Sequence, residues 1–256
     1  MVLLFTCICT FCESAAIIPV FGLSPDDDID TNRPTFTDSA LVVPRGSLQL
    51  ENGTLYQPFQ RGKFTYDIPE TEVRLGLTKS TEFQMFTPNF VLQHTPGLTV
   101  AGTSDLNEIG IKHQLKSISS KLAVSVIAGV NAPTGRQFIS GSGAQPVFRA
   151  PWSYALTKKW SVCGMQSFLL LNSGRDPQWQ PAAFICRTLG TRTIPFLEYA
   201  GFFTRGQLPV NIIHLGAVHK ISKNQQIDFH FGFGTNQATP VAIIGAGYSI
   251  RFDKLY

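Results

Sequence analysis

A two-residue rhythm with charge on its polar face constrains this 256-residue chain more than any other feature. In Gln225 to Gly234, QQIDFHFGFG, the side chains of Ile227, Phe229, Phe231 and Phe233 share one face. Gln226, Asp228, His230, Gly232 and Gly234 share the other. Successive side chains of a strand point to opposite faces, so this is a strand with unlike surroundings on its two sides. Segments of this kind recur along the chain. They carry charges mid-strand among Gly, Ser and Gln: Glu70, Glu72 and Arg74; Glu108 and Lys112; Arg149; Glu198; Asp228; and Arg251. In a soluble sandwich or lipocalin-like barrel the apolar face turns inward and the charges turn out. Unpartnered charges in a soluble core would be ruinous, whereas beside an aqueous lumen they cost little.

After residue 22 no apolar run approaches the roughly 18 residues that would mark a membrane-spanning helix, so only a closed barrel could cross a bilayer. The fold class is therefore all-β. Short polar turns recur at 78–81, 116–121, 157–159, 190–193 and 222–224. Between them lie longer stretches rich in Gly, Pro and Asn at 57–65, 94–104, 134–144, 172–179, 204–210 and 236–239. Five short turns alternating with six long loops predict a transmembrane antiparallel up-and-down β-barrel of about twelve strands, with both termini on the short-turn side. Aromatic residues gather near the expected strand ends. Tyr56, Phe59, Tyr66, Trp179 and Phe202 fall toward the long loops, and Phe83, Trp152, Tyr154, Trp160, Tyr248 and Phe252 toward the short turns. Two such girdles mark the interfaces of a bacterial outer-membrane barrel.

Composition agrees. Charged residues make up 15% of the chain, below the roughly 25% of ordinary soluble domains. The net charge of +4 comes from scattered Lys and Arg that form no basic stripe, so nucleic acid is not expected as a partner. Residues 1–16, MVLLFTCICTFCESAA, read as a secretory signal although no Lys or Arg precedes the apolar run. Residues 17–46 then form a periplasmic N-terminal segment, 47–252 the barrel, and 253–256 a short C-terminal extension. Cleavage of the signal would leave Cys163 and Cys186, which is no disulfide scaffold. The five histidines show no ligand spacing, and neither a metal nor a cofactor is expected.

The segment Asp30 to Gly53, DTNRPTFTDSALVVPRGSLQLENG, resembles the opening of a family of outer-membrane transporters named for the meta pathway of phenol degradation. Thr31, Arg33, Pro34, Thr37, Val43, Pro44, Gly46, Gln49, Leu50, Glu51 and Gly53 fall on that pattern, with Asn32 departing from its acidic residue. Arg33, Pro34 and Asp38 mark the N-terminal motif. Later matches include Arg74-Leu75-Gly76-Leu77-Thr78, Pro133-Thr134-Gly135 and Gly245-Ala246-Gly247 before Arg251-Phe252, so the similarity covers about residues 30 to 252. The resemblance implies an outer-membrane barrel with a transport role. It also implies that some members are associated with aromatic-compound breakdown, without fixing a substrate. Gly245 to Phe252, GAGYSIRF, looks like the strand signal read by the barrel-assembly machinery, with Tyr248 and Phe252 at its aromatic positions.

Strand parity points Glu51, Glu70, Glu72, Arg74, Glu82, Glu108, Lys112, Arg149, Glu198, Lys220, Asp228, His230 and Arg251 into the lumen as the expected pore lining, with His214 beside them. Acids and bases interleave, so pairing across the lumen and weak ion selectivity are expected. Glu70 and Glu72 beside Arg74 read as one salt-bridge patch. An outer-membrane lipid hydrolase would need a nucleophile within reach of a base, yet no His here has a Ser two residues on. The expected function is passage of small solutes, aromatic or amphipathic compounds among them, through a barrel held in outer-membrane lipid. The alternative is a non-conducting structural or adhesive barrel. The segment from Asp30 to Gly46, with Pro34, Pro44 and Leu41-Val42-Val43, is expected to pack at the periplasmic mouth or inside it as a lumen plug.

Overall fold

The computed structural model describes residues 27–141 and 143–256, so the expected signal at 1–16 lies outside the described residues. Fourteen extended segments make up the wall among the described residues. They are β1 (Leu48–Pro58), β2 (Phe64–Gly76), β3 (Thr81–Phe86), β4 (Phe90–Thr95), β5 (Leu98–Thr103), β6 (Leu106–Gln114) and β7 (Leu122–Ala132). The rest are β8 (Gln145–Ala155), β9 (Trp160–Leu170), β10 (Asp176–Arg187), β11 (Thr193–Thr204), β12 (Val210–Ser222), β13 (Gln225–Gly234) and β14 (Ile243–Phe252). Neighbours pair antiparallel throughout. The ring closes where β1 meets β14, from Leu48 opposite Phe252 to Tyr56 opposite Ile244.

Twelve crossings account for these fourteen segments. β3 and β4 are the two halves of one crossing, and β5 and β6 the halves of the next: β2 pairs with β3 along its lower half and with β4 along its upper half. Pro88 sits in the gap between β3 and β4 and Pro69 opposite it in β2, and a proline cannot donate to a ladder. The pairing therefore lapses between Glu72–Phe86 and Ile68–Phe90 and resumes beyond. The fold is a closed twelve-strand antiparallel barrel.

Two expected loops are corrected by the ladder. The stretch 94–104 is mostly strand: β4 and β5 pair from Phe90 with Thr103 to Thr95 with Leu98, leaving Pro96-Gly97 as a tight turn. Likewise β10 begins at Asp176, inside the expected loop 172–179. In both places strand residues border turn-forming ones, and ladder bonds override local composition.

The wall is apolar outside and polar within. Phe229 is 60% exposed while its strand neighbours Asp228 and His230 are each 5% exposed. Acyl chains would cover the outer face, which replaces the burial a soluble core supplies. Phe202 does not join an outer girdle as expected. It points inward and packs edge-on against Phe36, ring centres 5.8 Å apart, because it shares parity with Glu198. Tyr248 and Phe252 face outward and are exposed.

Candidate functional site

The interior of the barrel is organised around residues 27–46, which enter the lumen instead of lying below it. Ile29 N donates to Lys223 O in the turn between β12 and β13, and Lys220 Nζ lies 3.1 Å from Asp28. Arg251 reaches Asp27 O at 2.8 Å and Asp253 at 2.8 Å. The chain then rises to Arg33–Thr37 and descends to Gly46, whose N–H meets Gly76 O at the end of β2.

An irregular segment carries backbone N–H groups that no ladder satisfies, and buried ones need acceptors. Wall carboxylates supply them. Glu198 on β11 accepts from Phe36 N at 2.9 Å, Thr37 N at 2.9 Å and Thr37 Oγ1 at 2.8 Å. Glu51 on β1 accepts from Arg33 N at 3.0 Å and Asn32 N at 3.3 Å, and Glu72 accepts from Asn32 Nδ2 at 2.8 Å. Glu82 accepts from Val43 N at 2.5 Å. These four acids have side chains almost wholly removed from solvent.

Cations complete the lining. Arg74 bridges Glu51 at 3.0 Å and Glu82 at 2.9 Å and donates to Leu41 O at 3.0 Å, while Lys112 Nζ lies 3.5 Å from Glu82. Arg149 joins Asp38 of the segment at 2.9 Å to Glu108 at 2.7 Å. Glu108 occupies a bulge of β6 with φ +98°, a backbone region unfavourable to side-chain-bearing residues, and Gln84 Nε2 also donates to it at 2.6 Å. The expected patch of Glu70, Glu72 and Arg74 is not formed. Glu70 pairs with Arg33 at 2.8 Å instead, because Arg74 is already held between Glu51 and Glu82. Arg33 also approaches Asp228 at 3.5 Å.

Glycine makes room for Arg33. A Cβ on Gly53 of β1 would lie 2.1 Å from its guanidinium carbon, and one on Gly247 of β14 would lie 2.6 Å from its Nε. Both glycines stand in the stretches that carry the family resemblance. Sequence reasoning passed over them because nothing local signals a side chain arriving from elsewhere.

Two histidines extend the Glu198 cluster. His214 Nδ1 lies 2.7 Å from Glu198 Oε2, and His214 Nε2 lies 2.9 Å from His230 Nδ1. With both imidazoles neutral, His214 Nδ1 donates to the ionised carboxylate, His214 Nε2 accepts from His230 Nδ1, and His230 Nε2 is left as an acceptor. It meets no donor among the described residues.

Two cavities flank the segment. One, of about 480 Å³, lies toward the short turns and is bordered by Cys163, Cys186, Lys220 and Gln226. The other, of about 260 Å³, lies toward the long loops and is bordered by Asp67, Glu70, Asn89 and His230. Arg33, Pro34 and Thr35 border both. These three residues lie between the two cavities. No group of three or more metal-ligating side chains occurs among the described residues.

The family model described as "Putative MetA-pathway of phenol degradation" matches residues 31–252. The chain belongs to this family. Among solved structures, the COG4313 outer membrane channel from Pseudomonas putida F1 aligns with a TM-score of 0.64 at 11% identity, covering 88% of this chain and 100% of that one. KdgM porin gives 0.53 at 12% identity and NanC porin 0.54 at 7%, each over 80% of this chain and 99% of its own. At such identities the likeness speaks for the fold. No curated protein is similar enough to match.

Proposed function

We propose that this family member is an outer-membrane channel for small solutes whose lumen is divided by its own N-terminal segment. One observation carries the reading: two cavities, one on the short-turn side and one on the long-loop side of a closed barrel, share Arg33, Pro34 and Thr35 as their common border. A barrel of twelve strands lies between the eight whose interior side chains fill and the sixteen or more that leave a wide channel. A narrow route is therefore expected, with residues 27–46 as its plug. The matched channels and porins support the same reading.

In this reading the solute passes groups already engaged with one another, and the lumenal charges shape the route more than they select ions. Glu198, His214 and His230 form a hydrogen-bonded row that ends in a second imidazole and not in a nucleophile, which supports a channel over a lipid hydrolase. Insertion by the barrel-assembly machinery would use β14, where Tyr248 and Phe252 face outward.

Planar-bilayer recording of the purified protein tests the proposal. Steady small currents are expected, and deletion of residues 17–45 should enlarge them. A protein that inserts as a heat-modifiable barrel yet conducts nothing, with or without the segment, would favour a structural or adhesive role.

A further inference from the structure

The cavity on the long-loop side holds buried acceptors without donors. Asp67 Oδ1, Asn89 Oδ1 and His230 Nε2 are sealed from solvent and, among the described residues, meet no hydrogen-bond donor. Buried polar groups in folded proteins are nearly always satisfied, so several such atoms around one cavity point to a ligand that donates. Among the described residues Asp67 is also without an ion pair, since the neighbouring Arg33 is engaged with Glu70 and Asp228. An uncompensated carboxylate at the edge of a low-dielectric space favours a cation. His230 stands three strands from Asp67 in a ring of twelve crossings, so the two face the cavity from different sides. Phe36, Leu55 and Phe86 supply apolar contact between them.

We infer that this cavity is a binding station for a short amino alcohol. Its ammonium group meets Asp67 and the amide of Asn89, its methylene body lies along the apolar side chains, and its hydroxyl donates to His230 Nε2. The inference rests on the channel reading for how the solute arrives, but not for whether it binds. Gly245 is part of the site, because a Cβ there would stand 2.1 Å from His230 Nε2 and displace the imidazole.

Calorimetric titration of the detergent-solubilised, heat-modifiable barrel tests this with three probes: 4-amino-1-butanol, n-butylammonium and 1-butanol. Saturable one-site binding is expected for the amino alcohol. Losing a donor to a buried acceptor should make n-butylammonium about tenfold weaker, and losing the cation should leave 1-butanol without measurable binding. Asp67→Asn should weaken the amino alcohol about tenfold or more, as loss of a charge-assisted bond does. His230→Phe should weaken the amino alcohol and leave n-butylammonium unchanged, a contrast that general damage would not produce. No saturable binding by the wild-type barrel, or equal binding of the amino alcohol and 1-butanol, overturns the station. Bilayer currents from the same preparation keep the two readings apart: current without binding removes the station and leaves the channel, and binding without current does the reverse.

Discussion

Replacing Glu198 by Ala should release the N-terminal segment from the wall without opening the wall itself. The carboxylate accepts two backbone amides and one hydroxyl of residues 36 and 37, at 2.8–2.9 Å, and also engages His214. Each buried donor left without an acceptor costs about 1–3 kcal/mol. The Thr37 hydroxyl can rotate, and water can enter the space the carboxylate leaves, so the net loss of docking energy should be about 2–4 kcal/mol. That is roughly a thirtyfold to thousandfold shift toward the undocked segment. The ladder between β11 and β12 uses backbone groups, so heat-modifiable migration should persist. Hydrogen exchange of residues 30–45 reads the shift directly, and bilayer recording should show larger or noisier current. Glu198→Gln keeps one acceptor oxygen and should lose about 1 kcal/mol. If Glu198→Ala leaves both the exchange and the current at wild-type values, the wall carboxylates are not what holds the segment.

Gly53→Ala places a methyl group against the Arg33 guanidinium, so it should drive Arg33 from Glu70 and raise conductance while the barrel still folds; unchanged single-channel current would count against Arg33 as part of the partition. Asp105, between β5 and β6, accepts from Ser140 Oγ and from the amides of Gly135 and Gly141. Burial pushes its carboxyl up, but these bonds outweigh burial and hold it below its ordinary value. A group depressed in the folded state stabilises above the ordinary carboxylate range and loses that contribution as pH falls through its lowered value. The long loop at 134–144 should therefore stay protected from protease at pH 5 and loosen only in stronger acid, whereas Asp105→Asn should be nicked at neutral pH. Cys163 lies opposite Phe184 and Cys186 opposite Ser161, so the two are diagonal neighbours, and both are free thiols. Both thiols should alkylate without prior reduction, and a mass shift that appears only after reduction would contradict this.

The outline of the barrel was legible because lipid on one side and a polar lumen on the other enforce a period of two, which needs no knowledge of partners. Phe229 between Asp228 and His230 states the rule within three residues. The same parity carries Glu51, Glu82, Glu198 and Arg74 to the inner face, yet it could not say what they would meet there. The three acids accept backbone N–H groups, and Arg74 donates to a backbone carbonyl, of a segment without periodicity: Thr37 N and Glu198 are 161 positions apart. Reading acids and bases as mutually paired was the natural default, and it misplaced Glu70, whose cation arrives from the segment. The loop expected at 94–104 failed for the opposite reason. Pro96-Gly97 correctly signals a turn, but the strands on either side run right up to it.

The inward glycines hold the part of the site that the sequence could have yielded with a different question. Small residues facing a lumen otherwise crowded with long charged side chains leave the interior locally wide, and width in a narrow barrel is costly unless something fills it. Gly53 and Gly247 sit on adjoining strands at paired positions, so their two vacancies form one recess in the wall. The Arg33 guanidinium fills it, with one nitrogen on Glu70 and another near Asp228. Together with Glu51, which takes the Arg33 backbone N–H, the recess fixes where the segment turns and thus where the lumen is divided. The Q-L-E-x-G stretch of β1 and the G-A-G stretch of β14 are on this account the two halves of a mould for one arginine. That couples the position of the partition to the closing seam of the barrel: Arg33 can be seated only once β1 has met β14.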